Sequence, residues 1–380
     1  MNSELLKSDV KKNDVRPWYH RLSRLPFCKD DAIGRAVKVW LAIGLVMIFV
    51  QVVVGGITRL TGSGLSITKW EIVTGTLPPM NAAQWEHEFD LYKATPQYKK
   101  INSLQGMGMS EFKFIYFWEY IHRLWARTMG FVFLFPFMFF WWRGMFSKEL
   151  VKRLSVVFLL AALVASFGWI MVKSGLIDRP WVNAYKLTIH LSLALTLYSY
   201  LLWTTFRAFQ PKQSVIHSPV LRKWGTALLG VTAIQIILGG IMSGMKAGVF
   251  YPTWPDMNGV FLPAVLFDGA EWNVNNFVDY DANPFTNGLI QALHRNTAYL
   301  LTIMVLWYAF KVFKNIKNQR LRLSTLLLVS MLVIQVLLGI FTIINCKGIV
   351  PVGLGVFHQA GALVLLSILL YNRYLLRSST

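Results

Sequence analysis

Eight stretches of this chain, near residues 37–58, 115–142, 154–173, 185–206, 223–245, 288–311, 324–345 and 353–375, are long and apolar enough to cross a bilayer. Crossing takes about 20 residues, and in lipid the backbone must satisfy its own N–H and C=O groups, so segments of this pattern are confined to α-helices. The chain is 55% hydrophobic with a mean hydropathy of +0.46, far from the balance of a water-soluble domain. The expected fold class is an all-α polytopic membrane protein.

A net charge of +20 raises nucleic acid as a partner, but the basic residues are sorted by topology instead. Lys7, Lys11, Lys12, Arg16, Arg21, Arg24 and Lys29 precede the first span. Arg143, Lys148, Lys152 and Arg153 follow the second, Arg207, Lys212, Arg222 and Lys223 the fourth, and Lys311, Lys314, Lys317, Arg320 and Arg322 the sixth. Most of the acid lies in the other connections, as Glu71, Glu86, Glu88, Asp90 and Glu111, then Asp256, Asp268, Glu271, Asp279 and Asp281. The positive-inside rule then puts both termini in the cytoplasm and the acidic loops outside. The basic N-terminal segment carries Glu4, Asp9 and Asp14, unlike an acid-poor transit peptide, which favours a bacterial inner membrane over a mitochondrial one. Cys28 falls on the inner side and Cys346 near the outer end of the seventh span, so no disulfide between them is expected.

The two halves repeat. Gln51-Val-Val-Val-Gly55-Gly56 recurs as Gln235-Ile-Ile-Leu-Gly239-Gly240, followed at matched spacing by Trp70 and Trp254, then Gly75 and Gly259, then Leu77-Pro78 and Leu262-Pro263. His122-Arg123 with Ala126 matches His294-Arg295 with Ala298, and His190 matches His358. A duplicated unit of four helices follows, giving two pseudo-symmetric four-helix bundles. The boundaries read as a cytoplasmic tail 1–36, an N-terminal half 37–206, a linker 207–222, a C-terminal half 223–375 and a tail 376–380.

His122, His190, His294 and His358 each lie roughly two turns inside the outer end of a span. A lone histidine in a span is best read as bonding a neighbouring helix; four at one depth in repeat-related positions point to ligands. Two imidazoles offered by two helices of one bundle form a bis-histidine haem site, here His122 with His190 and His294 with His358. His20, His87 and His217 read as solvated.

Haem propionates need cationic partners, and Arg59, Arg123, Arg127 and Arg295 are candidates, with snorkelling to outer headgroups as the alternative. Glu119 stands three residues before His122, where the second half has Gln291. Glu-x-x-His also marks di-iron carboxylate sites, but those need two copies and further carboxylates. The divergence reads as divided labour: a reactive first half and a second half that carries haem permanently. A helix-end acid favoured by the dipole is the plainer alternative for Glu119.

Glu119-Tyr-Ile-His-Arg-Leu-Trp-Ala-Arg127, Gly55-Gly56-Ile-Thr-Arg-Leu-Thr-Gly-Ser-Gly-Leu-Ser66, Met171-Val-Lys-Ser-Gly-Leu176 and the two later histidine motifs resemble haem A synthase, from about residue 40 to 375. The likeness is to the mitochondrial and proteobacterial branch, without the outer-loop cysteine pairs of another branch. It implies oxidation of the C8 methyl of haem o to a formyl group, giving haem a for terminal oxidases, by two hydroxylations and loss of water. It further implies haem b at His294 and His358, the substrate haem at His122 and His190, and Glu119 in catalysis. A haem O synthase is implied as supplier, and an external electron donor, with a ferredoxin as one candidate. Membrane lipid surrounds the protein, no nucleic acid is expected, and a homo-oligomer is open. The competing readings are a di-haem b-type electron-transfer cytochrome and a haem transporter or chaperone. All four ligands at one depth argue against the cytochrome, which would stack its haems across the membrane.

Overall fold

The computed structural model describes residues 33–69, 77–176, 180–210 and 216–377. Outside them lie the basic residues of the N-terminal tail with His20 and Cys28, as well as Trp70, Glu71, Gly75 and Lys212. Among the described residues, eight helices are long and apolar enough to cross a membrane. They are α1 (Arg35–Leu60), α2 (Met109–Trp142), α3 (Lys148–Gly175), α4 (Ala184–Phe209), α5 (Pro219–Met245), α6 (Pro284–Asn315), α7 (Gln319–Ile344) and α8 (Val352–Leu375). The fold is all-α, as the hydropathy requires.

Most helices begin ahead of their apolar windows, because polar caps set their starts. The side chains of Ser147, Asn183, Ser218, Asn283 and Asn318 each accept a hydrogen bond from a first-turn N–H of α3, α4, α5, α6 and α7. Pro219 and Pro284 open α5 and α6, where a missing N–H costs nothing. α2 has 34 residues, so it is roughly 50 Å long and overshoots a hydrocarbon core of about 30 Å. Its first turns pack Phe112 and Tyr116 against Trp85, Phe89 and Tyr92 of the loop helix Ala82–Lys93. The four histidines are consequently not equidistant from their helix starts. His122 and His294 lie 13 and 10 residues in, His190 and His358 six each, because α2 and α6 begin before their apolar windows.

α1, α4, α5 and α8 meet at the centre: α1 packs on α4 and α8, and α5 on α4 and α8. α2 and α3 flank one side against α1 and α4, and α6 and α7 flank the other against α5 and α8. This arrangement fits two repeat-related units of four helices. It is not fully symmetric, since α6 also packs along α7 while α2 and α3 form no comparable seam. Phe133 and Phe137 of α2 do reach Phe158 of α3.

Small residues let the central helices approach closely. A Cβ on Gly244 of α5 would stand 2.6 Å from the Ala184 Cα of α4. A Cβ on Gly56 of α1 would meet Gln359 Oε1 of α8 at 2.9 Å, and the Gln359 Nε2 donates to the Val52 carbonyl at 2.8 Å. Each flank has its own apolar core, Trp40, Phe137, Leu154 and Leu201 in one and Leu228, Tyr308, Leu328 and Leu369 in the other. Tyr198 and Leu202 of α4 pack with Leu366 and Leu370 of α8 between them. The second half's long outer loop also reaches the first half: Tyr280 is fully buried with its hydroxyl accepting from the Ala184 N–H, and Trp181 Nε1 donates to Asp281.

Candidate functional site

The histidines come together as pairs. The rings of His294 on α6 and His358 on α8 lie edge to face with centroids 6.4 Å apart and planes at 75°. A metal–imidazole bond of about 2 Å on each side sets two ring centres roughly 6 Å apart, so the pair is spaced to hold one iron between them. His122 on α2 and His190 on α4 are close enough to interact electrostatically. His190 Nδ1 lies 3.0 Å from the Val164 carbonyl of α3. A carbonyl only accepts, so Nδ1 carries the proton in this contact and Nε2 is left bare to bind a metal.

Each ring rests on a glycine of the preceding helix. A Cβ on Gly55 would stand 3.2 Å from His122 Nε2, and one on Gly168 2.9 Å from His190 Cε1. The corresponding distances are 3.1 Å from Gly239 to His294 Cε1 and 3.0 Å from Gly339 to His358 Cε1. In both Gly-Gly pairs, therefore, the first glycine seats a histidine. The second, Gly56 or Gly240, packs against the other half, Gly240 on Thr188. Gly168 and Gly339 are absent from the sequence reading. A lone glycine in a span looks like ordinary helix packing, and the ring above it belongs to another helix.

Glu119 is 3% exposed and its carboxylate is fully engaged. The Ser66 N–H (2.7 Å), the Ser66 hydroxyl (2.8 Å) and the Ile67 N–H (2.9 Å) donate to Oε2. Arg123 Nε donates to Oε1 at 3.1 Å and Nη2 reaches the same oxygen. The Arg123 guanidinium also donates to the carbonyls of Ile67 and Lys69. Glu119 and Arg123 thus clamp the segment that follows α1. The second half repeats the clamp without a carboxylate: Gln291 Nε2 donates to the Tyr251 carbonyl at 2.7 Å, and Arg295 donates to the carbonyls of Pro255 and Phe261. In that loop, donation from the Thr253 hydroxyl, helped by the Gly259 N–H, holds the Asp256 carboxyl below its usual range.

Arg59 is half-buried and donates through Nη2 to the Ser243 (3.1 Å) and Gly244 (2.9 Å) carbonyls at the end of α5. A cation there complements the helix dipole and ties the halves together. Arg127 is half-buried on α2, with Arg123 and Tyr120 near it. Of the four propionate candidates, Arg59, Arg123 and Arg295 are therefore bonded to backbone carbonyls. His87 and His217 are exposed.

Pairs of imidazoles thus come together at two places, and among the described residues a buried carboxylate, Glu119, stands near one of them. Residues 38–370 match the family model for cytochrome oxidase assembly protein, COX15-CtaA. The heme A synthase of Bradyrhizobium sp. (strain ORS 278) is 40% identical over 348 residues, 91% of this chain and 92% of that protein. That of Nitrosospira multiformis is 39% identical, covering 93% of this chain and 98% of the relative. That of Flavobacterium johnsoniae is 37% identical, covering 89% and 97%. With eight spans and bacterial relatives of nearly equal length, the protein is a multi-pass protein of the bacterial plasma membrane. The match leaves little of the sequence outside it, and the chain belongs to the COX15-CtaA family of cytochrome oxidase assembly proteins.

Proposed function

We propose that this protein is a haem A synthase that oxidises the C8 methyl of haem o to a formyl group, giving haem a for terminal oxidases. The observation that carries the reading is the pair of imidazoles 6.4 Å apart on α6 and α8, in a chain whose relatives bear that name. His294 and His358 hold haem b, which when bound supplies one-electron redox chemistry fed by an external donor such as a ferredoxin. His122 and His190 hold the substrate haem, delivered by a haem O synthase, and His190 is already in the tautomer that ligation needs.

Glu119 is the acid of the reactive half. Its carboxylate lies one turn from His122 and sits where the second half has an amide, so only the first site places a charge and a proton acceptor beside its ligand. The donors on both oxygens orient it and hold the segment at Ser66 in place. The propionate partners come from Arg59, Arg123, Arg127 and Arg295, of which Arg59, Arg123 and Arg295 also donate to backbone carbonyls. The acidic loops and all four ligands belong to the outer side of the membrane, with both termini in the cytoplasm.

The test is pigment extraction from membranes supplied with haem o. The parent should yield haem a; an electron-transfer cytochrome or a haem carrier would return haem o unchanged. His122→Ala and His190→Ala should abolish haem a while keeping haem b. His294→Ala or His358→Ala should lose the low-spin haem b spectrum, and its survival in both variants would sink the assignment.

A further inference from the structure

The four hairpins α1–α2, α3–α4, α5–α6 and α7–α8 share one contact beyond the glycine seat. Four residues before each seat, one turn away on the same helical face, stand Gln51, Val164, Gln235 and Gln335. Three of the segments read Gln51-Val-Val-Val-Gly55, Gln235-Ile-Ile-Leu-Gly239 and Gln335-Val-Leu-Leu-Gly339. In every hairpin this residue touches the histidine. Gln51 Nε2 donates to the His122 carbonyl at 3.2 Å, and the Val164 carbonyl accepts from His190 Nδ1. Gln235 Nε2 lies 3.3 Å from His294 Nε2. Gln335 Nε2 donates to the His358 carbonyl at 2.8 Å and lies 3.2 Å from its Nδ1.

The two second-half amides carry a further signal. The Oε1 atoms of Gln51, Gln235 and Gln335 are all buried without a hydrogen-bond partner, but only in the second half does the amide approach a ring nitrogen, Nε2 of His294 and Nδ1 of His358. An imidazole ligand is oriented by the groups that touch its ring, so these contacts bear on the angle at which each ring stands.

We propose that Gln235 and Gln335, backed by Gly239 and Gly339, are positioning residues that set the rotation of the two haem b ligands. This rests on the assignment of haem b to His294 and His358. In the first half Gln51 bonds only the backbone of His122, and Val164 offers only its carbonyl. The ligands of the substrate haem, which must leave as product, are therefore held without an amide against either ring.

The experiment uses purified holoprotein and the variants Gln235→Val and Gln335→Val, which install the residue found at position 164, with Gln51→Val as control. Low-temperature electron paramagnetic resonance and a redox titration of haem b are the readouts. Both second-half variants should keep haem b while showing g-values and a midpoint potential displaced from the parent's, because a ring released from its amide turns to a new angle and both quantities follow the orientation of the ligand planes. Gln51→Val should match the parent. Gly339→Ala, whose Cβ would push on the ring, should shift or lose the low-spin signal. If both glutamine variants superimpose on the parent in g-values and potential, the proposal is wrong. A bis-histidine signal persisting in His358→Ala would instead mark failure of the underlying haem assignment.

Discussion

Glu119 and Gln291 occupy matched positions beside matched arginines, yet only one of them brings a charge. Replacing Glu119 with Gln keeps the shape, so the clamp on Ser66 and Ile67 loses strength but not its frame. Haem b should stay at the parental level, and haem a formation should fall by about 100-fold or more, the usual scale for losing an acid–base group. Extracted pigments measure both at once; haem a made at the normal rate would leave Glu119 with a structural role only. Arg295 tests the clamp of the second half. Arg295→Met strips its two charge-assisted donors from the carbonyls of Pro255 and Phe261, at a cost of about 2–4 kcal/mol. Thermal unfolding should register this, and proteolysis near residues 255–261 should speed up. That these arginines serve the loops was not legible in the sequence, because the carbonyls they bind lie tens of residues away and carry no side-chain signature.

Among the elements, α6, α7 and α8 share a buried polar knot. Asn372 of α8 donates to the Ser324 hydroxyl at 2.7 Å and accepts from the Thr325 hydroxyl of α7 at 2.9 Å and the Tyr308 hydroxyl of α6 at 3.5 Å. Asn372→Leu removes these bonds and leaves the three hydroxyls without their amide partner in an apolar setting, so a loss of about 1–2 kcal/mol is expected. A melting curve in detergent checks it, and a Tm equal to the parent's would deny the knot any weight. The outer loop of the second half has its own pH dependence through Asp256. Its folded carboxyl is held below the unfolded value, so its contribution is present above the unfolded value and fades as pH drops through the folded one. Asp256→Asn should flatten the acid limb of a proteolysis-versus-pH profile for that loop.

Across the whole molecule, the halves meet where Gly244 lies against Ala184 and where Arg59 caps α5. Gly244→Val leaves no room for α4 beside α5, and both haem sites should lose occupancy together even though no ligand is touched. A variant with normal haem b would show that the seam can open without consequence. Eight spans, the duplication and the four histidines were all readable in the chain, since span length, charge asymmetry and repeat spacing are one-dimensional consequences of crossing lipid. The pairing of particular rings, the glycine seat under each, the engagement of Arg59, Arg123 and Arg295, and the looser packing of α2 on α3 than of α6 on α7 came from the tertiary structure. Those depend on which helix stands beside which and how closely, and a hydrophobic span carries little record of its neighbours, because lipid and another helix ask for much the same side chains.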